Sequence, residues 1–378
     1  MEKSTTKKGS HAHLSDFGHA IPKAYDMIVF CHLRWEFVYQ RPQHIISRMS
    51  DSMKILMVEE PVPFDANQAG TANLIEIHAN LHVLQPKVNG IEEIADVLDA
   101  YLDSKSVPFG WFYSAAFSPL LSTIRFQTII YDCMDELALF KGAPQQLIDQ
   151  EKYLLANADI VFTGGKSLYE SKSKMHENVY CFPSSVDESH FATALNGIEI
   201  PADVAHLTKP IVGYFGVIDE RIDLDLIAET ARLMPEVSFV MIGPLAKIGE
   251  NDLPREQNLH YTGMRKYDEL PHYLKAFDIA MMPFALNDAT KYISPTKTLE
   301  YMAAGKPIIS TRITDVLRDY SDCVKFADDA PEFASHIAQL LRERDKLSTI
   351  SQYRDILDRT SWDATASKML GLIKSFAQ

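Results

Sequence analysis

Lys297 and Glu300 stand three residues apart in the stretch SPTKTLEYMAAGKPIIS (294–310), which lies between two apolar runs, 278–284 and 306–311. Ser294 followed by Pro295 predicts a helix start over 295–304. A serine oxygen caps free backbone N–H groups, and proline suits the first helical position because its missing N–H costs nothing there. Three residues past such a cap, Glu or Gln is the stabilising choice. This chain has Lys297 instead, a cation at the positive end of the helix dipole and a mismatch of about 0.3–1 kcal/mol. An anion removes the mismatch: a diphosphate between Lys297 and the free N–H groups of the turn would answer both positives. Glu300, one turn on and on the same face, could then accept two hydrogen bonds from a ribose diol. The plain alternative for this pair is a surface ion pair worth a few tenths of a kcal/mol.

The first half of the chain offers a second group. Arg41-Pro42 starts a helix after the first apolar run and places another cation, with His44, in an opening turn. Arg41 is a candidate for a bound phosphate or another acidic ligand, and Trp35 and Phe37, in the loop before it, are candidates for a stacking platform. In YDCMDE (131–136), Asp132, Asp135 and Glu136 cluster at a strand end. A carboxylate there can act as general base within about 3 Å of a hydroxyl, and Asp132 and Asp135 are the candidates. Ordinary packing and helix capping are the competing readings for these aromatics and strand-end acids.

These residues need elements to hold them. Short apolar runs recur at 26–33, 54–60, 81–84, 109–113, 128–133, 159–164 and 178–183, and again at 210–216, 237–243, 259–263, 278–284, 306–311 and 323–327. Helical patterns fall between them, including 91–103, 145–158, 224–234 and 267–277. Runs apolar on both faces and separated by helices predict parallel sheets covered on both sides. With 378 residues, two domains of about 180 residues each are expected. The predicted layout is a tail over 1–24, a Rossmann-like domain over 25–187, a linker over 188–209, a second Rossmann-like domain over 210–358 and a closing helix over 359–378 that returns towards the first domain. Ligands of such sheets bind beyond the carboxyl ends of the strands, so the cleft between the domains is the predicted site.

A hydrophobic content of 46% with 23% charged residues is that of a soluble globular protein. A formal net charge of −14 argues against a general nucleic-acid binder, which needs a basic footprint. The four cysteines lack C-x-x-C spacing and read as free thiols rather than a metal site. No apolar run approaches the ~20 residues of a membrane span, and the polar N-terminus lacks the apolar core of a signal peptide. A cytoplasmic protein is expected.

The segments YTGMRKYDELPHYLKAFDIAMMPF (261–284), KTLEYMAAGKPIIS (297–310), VYCFPSSVDESHF (179–191) and KPIVGYFGVIDERIDLDLI (209–227) together resemble GT-B glycosyltransferases, especially family 4. The resemblance covers most of 26–375 and is densest over 209–311. It implies two facing Rossmann-like domains with a deep cleft, and transfer of a sugar from a nucleotide-diphosphate donor, a UDP-sugar foremost, to a saccharide or lipid-linked acceptor in surface polysaccharide synthesis. By that resemblance Glu300 takes the ribose hydroxyls, Gly263, Met264 and Arg265 lie by the base, 293–297 with Ser294 and Thr296 hold the phosphates, and Gly216 belongs to the glycine turn. Three departures stand out: Tyr292 replaces a second Glu that reads the donor sugar, Val217 replaces an Arg after the glycine turn, and Arg221 stands for a nearby Lys. The K-x-x-E variant also resembles bacterial exopolysaccharide transferases, inverting ones included.

Lys297, Arg221 and the helix dipole can neutralise a leaving diphosphate, so metal independence and no cofactor beyond the sugar nucleotide are expected. An acceptor on a lipid carrier would bring the protein to the inner membrane face, with Lys3, Lys7, Lys8 and the loop around Trp35 as weak docking candidates. Two other readings remain: a nucleotide-sugar epimerase of the same fold, for which His32 and His44 would be the first-domain histidines, and a sugar-nucleotide-binding module without catalysis.

Overall fold

A computed structural model describes residues 24–140, 142–343 and 346–376. The tail expected over 1–24, with Lys3, Lys7 and Lys8, lies outside the described residues except for Ala24. Every apolar run named above forms a strand. The first sheet holds β1 (Met27–Cys31), β2 (Ile55–Glu59), β3 (Thr71–His78), β4 (Leu81–Lys87), β5 (Ser106–Phe112), β6 (Arg125–Cys133), β7 (Ile160–Thr163) and β8 (Val179–Cys181). Its order is β3-β4-β2-β1-β5-β6-β7-β8. The second holds β9 (Ile211–Phe215), β10 (Ser238–Ile242), β11 (Leu259–Gly263), β12 (Ile279–Met282), β13 (Ile308–Ser310) and β14 (Val324–Phe326), ordered β11-β10-β9-β12-β13-β14.

Both sheets are parallel, with one exception. β3 pairs antiparallel with β4 at the edge of the first sheet. Its face is only half buried, so it lacks the continuous apolar run that marks the central strands, and it is the one strand absent from the sequence-based expectation.

Helices cover the first sheet: α1 (Arg41–Met49), α2 (Ile94–Leu98), α3 (Gln146–Asn157) and α4 (Lys166–Lys172). The pattern over 91–103 is helical only to Leu98 and ends in turns. Between the domains, α5 (Glu188–Ala192) and α6 (Ala202–Ala205) are short, and their buried Phe191 and Val204 belong to the core of the second domain. The second sheet carries α7 (Leu224–Leu233), α8 (Leu270–Ala276), α9 (Lys297–Ala303), α10 (Thr314–Tyr320), α11 (Ala330–Arg342) and α12 (Lys346–Leu357). The last helix, α13 (Trp362–Phe376), buries Trp362, Ala366, Met369 and Ile373 against the first sheet.

The chain therefore crosses between the domains twice, at 182–188 and at 358–361, and the crossings lie side by side. Trp362 N donates to Val186 O at 3.4 Å, the hydroxyls of Ser185 and Thr365 are 3.0 Å apart, and Arg354 forks onto Glu188 at 2.7 and 2.9 Å. On the far side of the seam α4 meets α10. Asp315 of α10 accepts from Ser167 N with both oxygens, at 3.1 and 3.2 Å, and from the Ser167 hydroxyl. Flanking ion pairs join Arg318 to Glu170 at 3.0 Å and Lys166 to Asp319. Gly165, which precedes α4, has no room for a side chain, because a Cβ would lie 2.6 Å from Asp315 Oδ2. All four cysteines are free thiols, and no described helix is long and apolar enough to cross a membrane.

Candidate active site

The carboxyl ends of the two sheets face one another across a cavity of about 120 Å³. From the first domain it is lined by Val38, Gln40, Arg41, Met134, Asp135, Gly164 and Ser184. The second contributes Tyr214, Val217, Arg221, Phe284 and the turn 293–297.

Lys297 reaches this cavity because two glycines clear its path. Gly216, directly after β9, has φ +143°, and a Cβ on it would overlap Lys297 Cε and lie 2.7 Å from Nζ. Gly243, after β10, has φ +148°, and a Cβ there would overlap the Gly216 carbonyl. Both positions are forbidden to other residues by backbone conformation and by space. The Lys297 ammonium sits 5.8 Å from the centre of the Tyr214 ring and has no ion-pair partner among the described residues. Burial holds its pKa below the usual lysine range, although Glu300 pulls the other way. A desolvated cation without a counter-ion favours an incoming anion strongly.

The helix start differs from the expectation. α9 begins at Lys297, with Thr296 as the cap residue and no side-chain cap bond. Ser294 does not cap it; its carbonyl accepts from the Ser184 hydroxyl of the first domain at 2.5 Å, which holds 294–295 in an extended turn. Lys297 thus opens the helix rather than following it by three residues, and the charge mismatch moves closer to the helix end.

Glu300 is 6% exposed and does not line the cavity itself. Burial pushes its carboxyl up to about 7, against the Lys297 charge and a hydrogen bond from Thr296 that draw it down. Arg221 does line the cavity, but half of its fork is taken: Asp219 accepts from Nε at 3.0 Å and from Nη2 at 2.7 Å. Asp219 was not anticipated, though its spacing two residues before Arg221 is the only sequence signal it gives. With Asp219 spent, Arg221 can present Nη1 to a ligand. The D-x-D spacing of Asp223 and Asp225 serves a helix start, with Asp223 Oδ1 accepting from Leu226 N at 2.9 Å.

The two first-domain carboxylates separate clearly. Asp132 is fully buried and is not among the residues lining the cavity. Arg41 donates to it from Nε at 3.1 Å and from Nη2 at 2.9 Å, and to Phe182 O from Nη1 at 2.7 Å. This corrects two expectations at once: Asp132 is not placed as a base, and Arg41 is committed to Asp132 even though its side chain touches the cavity wall. Asp135 lies in the loop after β6, lines the cavity, and makes no side-chain hydrogen bond among the described residues. Burial raises its pKa, and Arg221 and Lys297 across the seam lower it in part.

The remaining candidates lie elsewhere. His44 stacks on Trp362 at 4.8 Å and 10°, and burial and Arg48 push it down to about 3, so it is a neutral packing residue. Trp35 is partly buried against the first domain's core and Phe37 is exposed, and neither lines the cavity. Tyr292 packs at the seam against the first domain, and its ring receives Lys291 at 5.3 Å. Gly263 ends β11 with φ +74°, Met264 is exposed, and Arg265 is tied to Asp203 at 2.7 Å, none of them lining the cavity. Among the described residues no group of three or more His, Cys, Asp or Glu is placed to hold a metal ion.

Comparison with known proteins agrees with this geometry. Residues 209–343 match the family model for glycosyl transferases group 1. The chain is 27% identical over 220 residues to the putative teichuronic acid biosynthesis glycosyltransferase TuaH of Bacillus subtilis, which covers 54% of this chain and 55% of that relative's length. Among solved structures, sucrose-phosphate synthase of Thermosynechococcus elongatus superposes with a TM-score of 0.68 at 15% identity, over 92% of this chain and 98% of that one. HepE of Anabaena, solved with UDP and glucose, superposes with a TM-score of 0.66 at 14% identity, over 93% and 100%. The parallel sheets, their facing carboxyl ends and the solved structures converge on one architecture: the chain has the GT-B fold, and its residues 209–343 are similar to the glycosyl transferases group 1.

Proposed function

We propose that this protein transfers a sugar from a UDP-sugar to a saccharide or lipid-linked acceptor in polysaccharide biosynthesis, without a metal ion. The observation that carries the reading is the uncompensated Lys297 ammonium, set in the interdomain cavity beside Arg221 and across from Asp135. The diphosphate lies against Lys297, the 293–297 turn and the free edge of Arg221, and those two cations stabilise the charge that develops as the glycosidic bond to phosphate breaks. Glu300 receives the ribose diol. Asp135, unpaired and with a raised pKa, takes the proton of the acceptor hydroxyl. The TuaH relative's name supports polysaccharide synthesis, and the UDP and glucose in HepE support the donor class. An epimerase is less well supported, because no histidine is among the described residues lining the cavity.

The test is a thermal-shift screen with UDP, GDP and dTDP, followed by transfer assays with the matching sugars in EDTA. Ligands that bind the native state raise its melting temperature. UDP should stand out, Lys297→Ala should lose most of that shift, and transfer should persist in EDTA. A wild-type protein indifferent to every diphosphate would end this reading.

A further inference from the structure

The loop that carries Asp135 is held at both of its ends by unlike means. At its start, Glu136 accepts from the Lys172 ammonium at 2.8 Å, and Lys172 is buried and also bound to Glu151 at 2.7 Å. At its end, the Phe140 ring of the first domain meets two cations of the second: Lys247 Nζ at 4.7 Å and Arg221 Cζ at 5.5 Å from its centre. Between these anchors, Leu137–Leu139 is a single 3-10 turn, half-buried except for the exposed Leu139.

Lys247 is the one non-glycine residue with positive φ among the described residues, at +60°. Left-handed backbone is costly for a side chain such as lysine and persists where something else holds it. Here that conformation brings the ammonium over Phe140 and within 3.3 Å of Glu220. Arg221 faces both the ring and the cavity. An aromatic face attracts a cation without neutralising it, so Arg221 can hold Phe140 and still meet a phosphate with its full charge. A carboxylate at position 140 would compete with that phosphate.

We propose that Phe140 is a positioning residue: held by the Lys247 and Arg221 cations, it closes the 134–140 loop over the bound diphosphate and sets Asp135 against the reacting centre. This rests on the donor and acceptor roles proposed above for Arg221 and Asp135, but the clamp can be tested without any transfer.

Hydrogen–deuterium exchange at the amides of 134–140 is the primary measurement, with and without UDP. In wild type, exchange should be slow and UDP should slow it further. Phe140→Leu should exchange at least about fivefold faster, as expected when local opening is made easier, and UDP should no longer slow it, while Phe140→Tyr should behave as wild type. Lys247→Gly relieves the backbone strain and removes the cation. It should keep or raise the melting temperature yet loosen the same loop, which separates the clamp from general damage. In transfer assays Phe140→Leu should lower kcat about tenfold with the KM for donor little changed, the split expected of a group acting after donor binding. Exchange at 134–140 that is the same in wild type, Phe140→Leu and Lys247→Gly would overturn the proposal. If UDP fails to bind wild type, the donor reading falls instead, and the ligand-free exchange comparison still judges the clamp.

Discussion

Gly216 and Lys297 fit together as a socket and its occupant: the space in which a Cβ of residue 216 would stand is filled by the end of the lysine side chain. Gly216→Ala must therefore displace Lys297 while also straining a backbone at φ +143°. The strain alone is expected to cost about 1–3 kcal/mol. A folded Gly216→Ala protein should show little of the UDP-dependent rise in melting temperature, as Lys297→Ala should. A full thermal response in Gly216→Ala would mean that the ammonium is not where the diphosphate binds.

Glu300 predicts a pH signature. Its carboxyl is raised by burial to about 7, above the unfolded value, so the native state binds more protons than the unfolded chain between roughly pH 4.5 and 7. Stability falls as pH rises through that window and levels off above it, by at most about 3 kcal/mol at 1.36 kcal/mol per unit. Hydrogen bonds from a ribose diol favour the ionised form, so UDP should stabilise the protein more at pH 8 than at pH 6. Glu300→Gln should abolish that difference. Calorimetric melting at the two pH values checks it, and equal UDP shifts in wild type would refute the assignment.

Asp132 and Asp135 should behave oppositely. Asp132→Ala leaves the buried Arg41 without its counter-ion and is expected to cost about 3–5 kcal/mol in urea unfolding. Asp135→Ala removes a partly buried carboxylate that has no hydrogen-bond partner, so stability should change by less than about 1 kcal/mol. Transfer should nevertheless fall by about 10²–10⁴, the usual contribution of a positioned base. Retained transfer in Asp135→Ala would move the proton to another acceptor, such as the leaving phosphate.

The seam between α4 and α10 is expected to open for the proposed sugar nucleotide to enter. A cavity of about 120 Å³ lies well below the ~300–1,000 Å³ of typical small-molecule sites. Asp315→Ala removes the acceptor for Ser167 N and its hydroxyl, a loss of about 1–3 kcal/mol in holding the domains shut. Gly165→Ala should push the same contact apart by sterics. Both variants should have a larger radius of gyration by small-angle scattering without ligand, and should bind UDP faster. Scattering profiles superimposable on wild type would show that this contact does not hold the closed form.

Much of this framework is readable from residue order, because parallel strands buried on both faces announce themselves as unbroken apolar runs. Thr71–His78 escapes because an edge strand alternates, and its half-buried face resembles any polar segment. Lys297 is visible as a local electrostatic mismatch, although Ser184 draws the preceding turn out of the helix and shifts the start to Lys297. Asp132 and Arg41 mislead for the opposite reason: each has the chemistry of a site residue, and only the fold reveals that these two, 91 positions apart, are paired. Phe140 and Gly243 are defined by their neighbours in space, with nothing local in the sequence to single them out, and Asp219 gives only its spacing two residues before Arg221.

The two neighbouring chain crossings also limit how the lobes can travel. A single connection would leave them free to swivel. Two, stitched together through Ser185 and Thr365, Val186 and Trp362, and Glu188 and Arg354, leave one easy movement, a swing about the line the crossings define. Each closing stroke should thus return Asp135 and Lys297 to the same places on the cavity wall, so the alignment of the two lobes is inherited from chain connectivity and need not be rebuilt by each ligand.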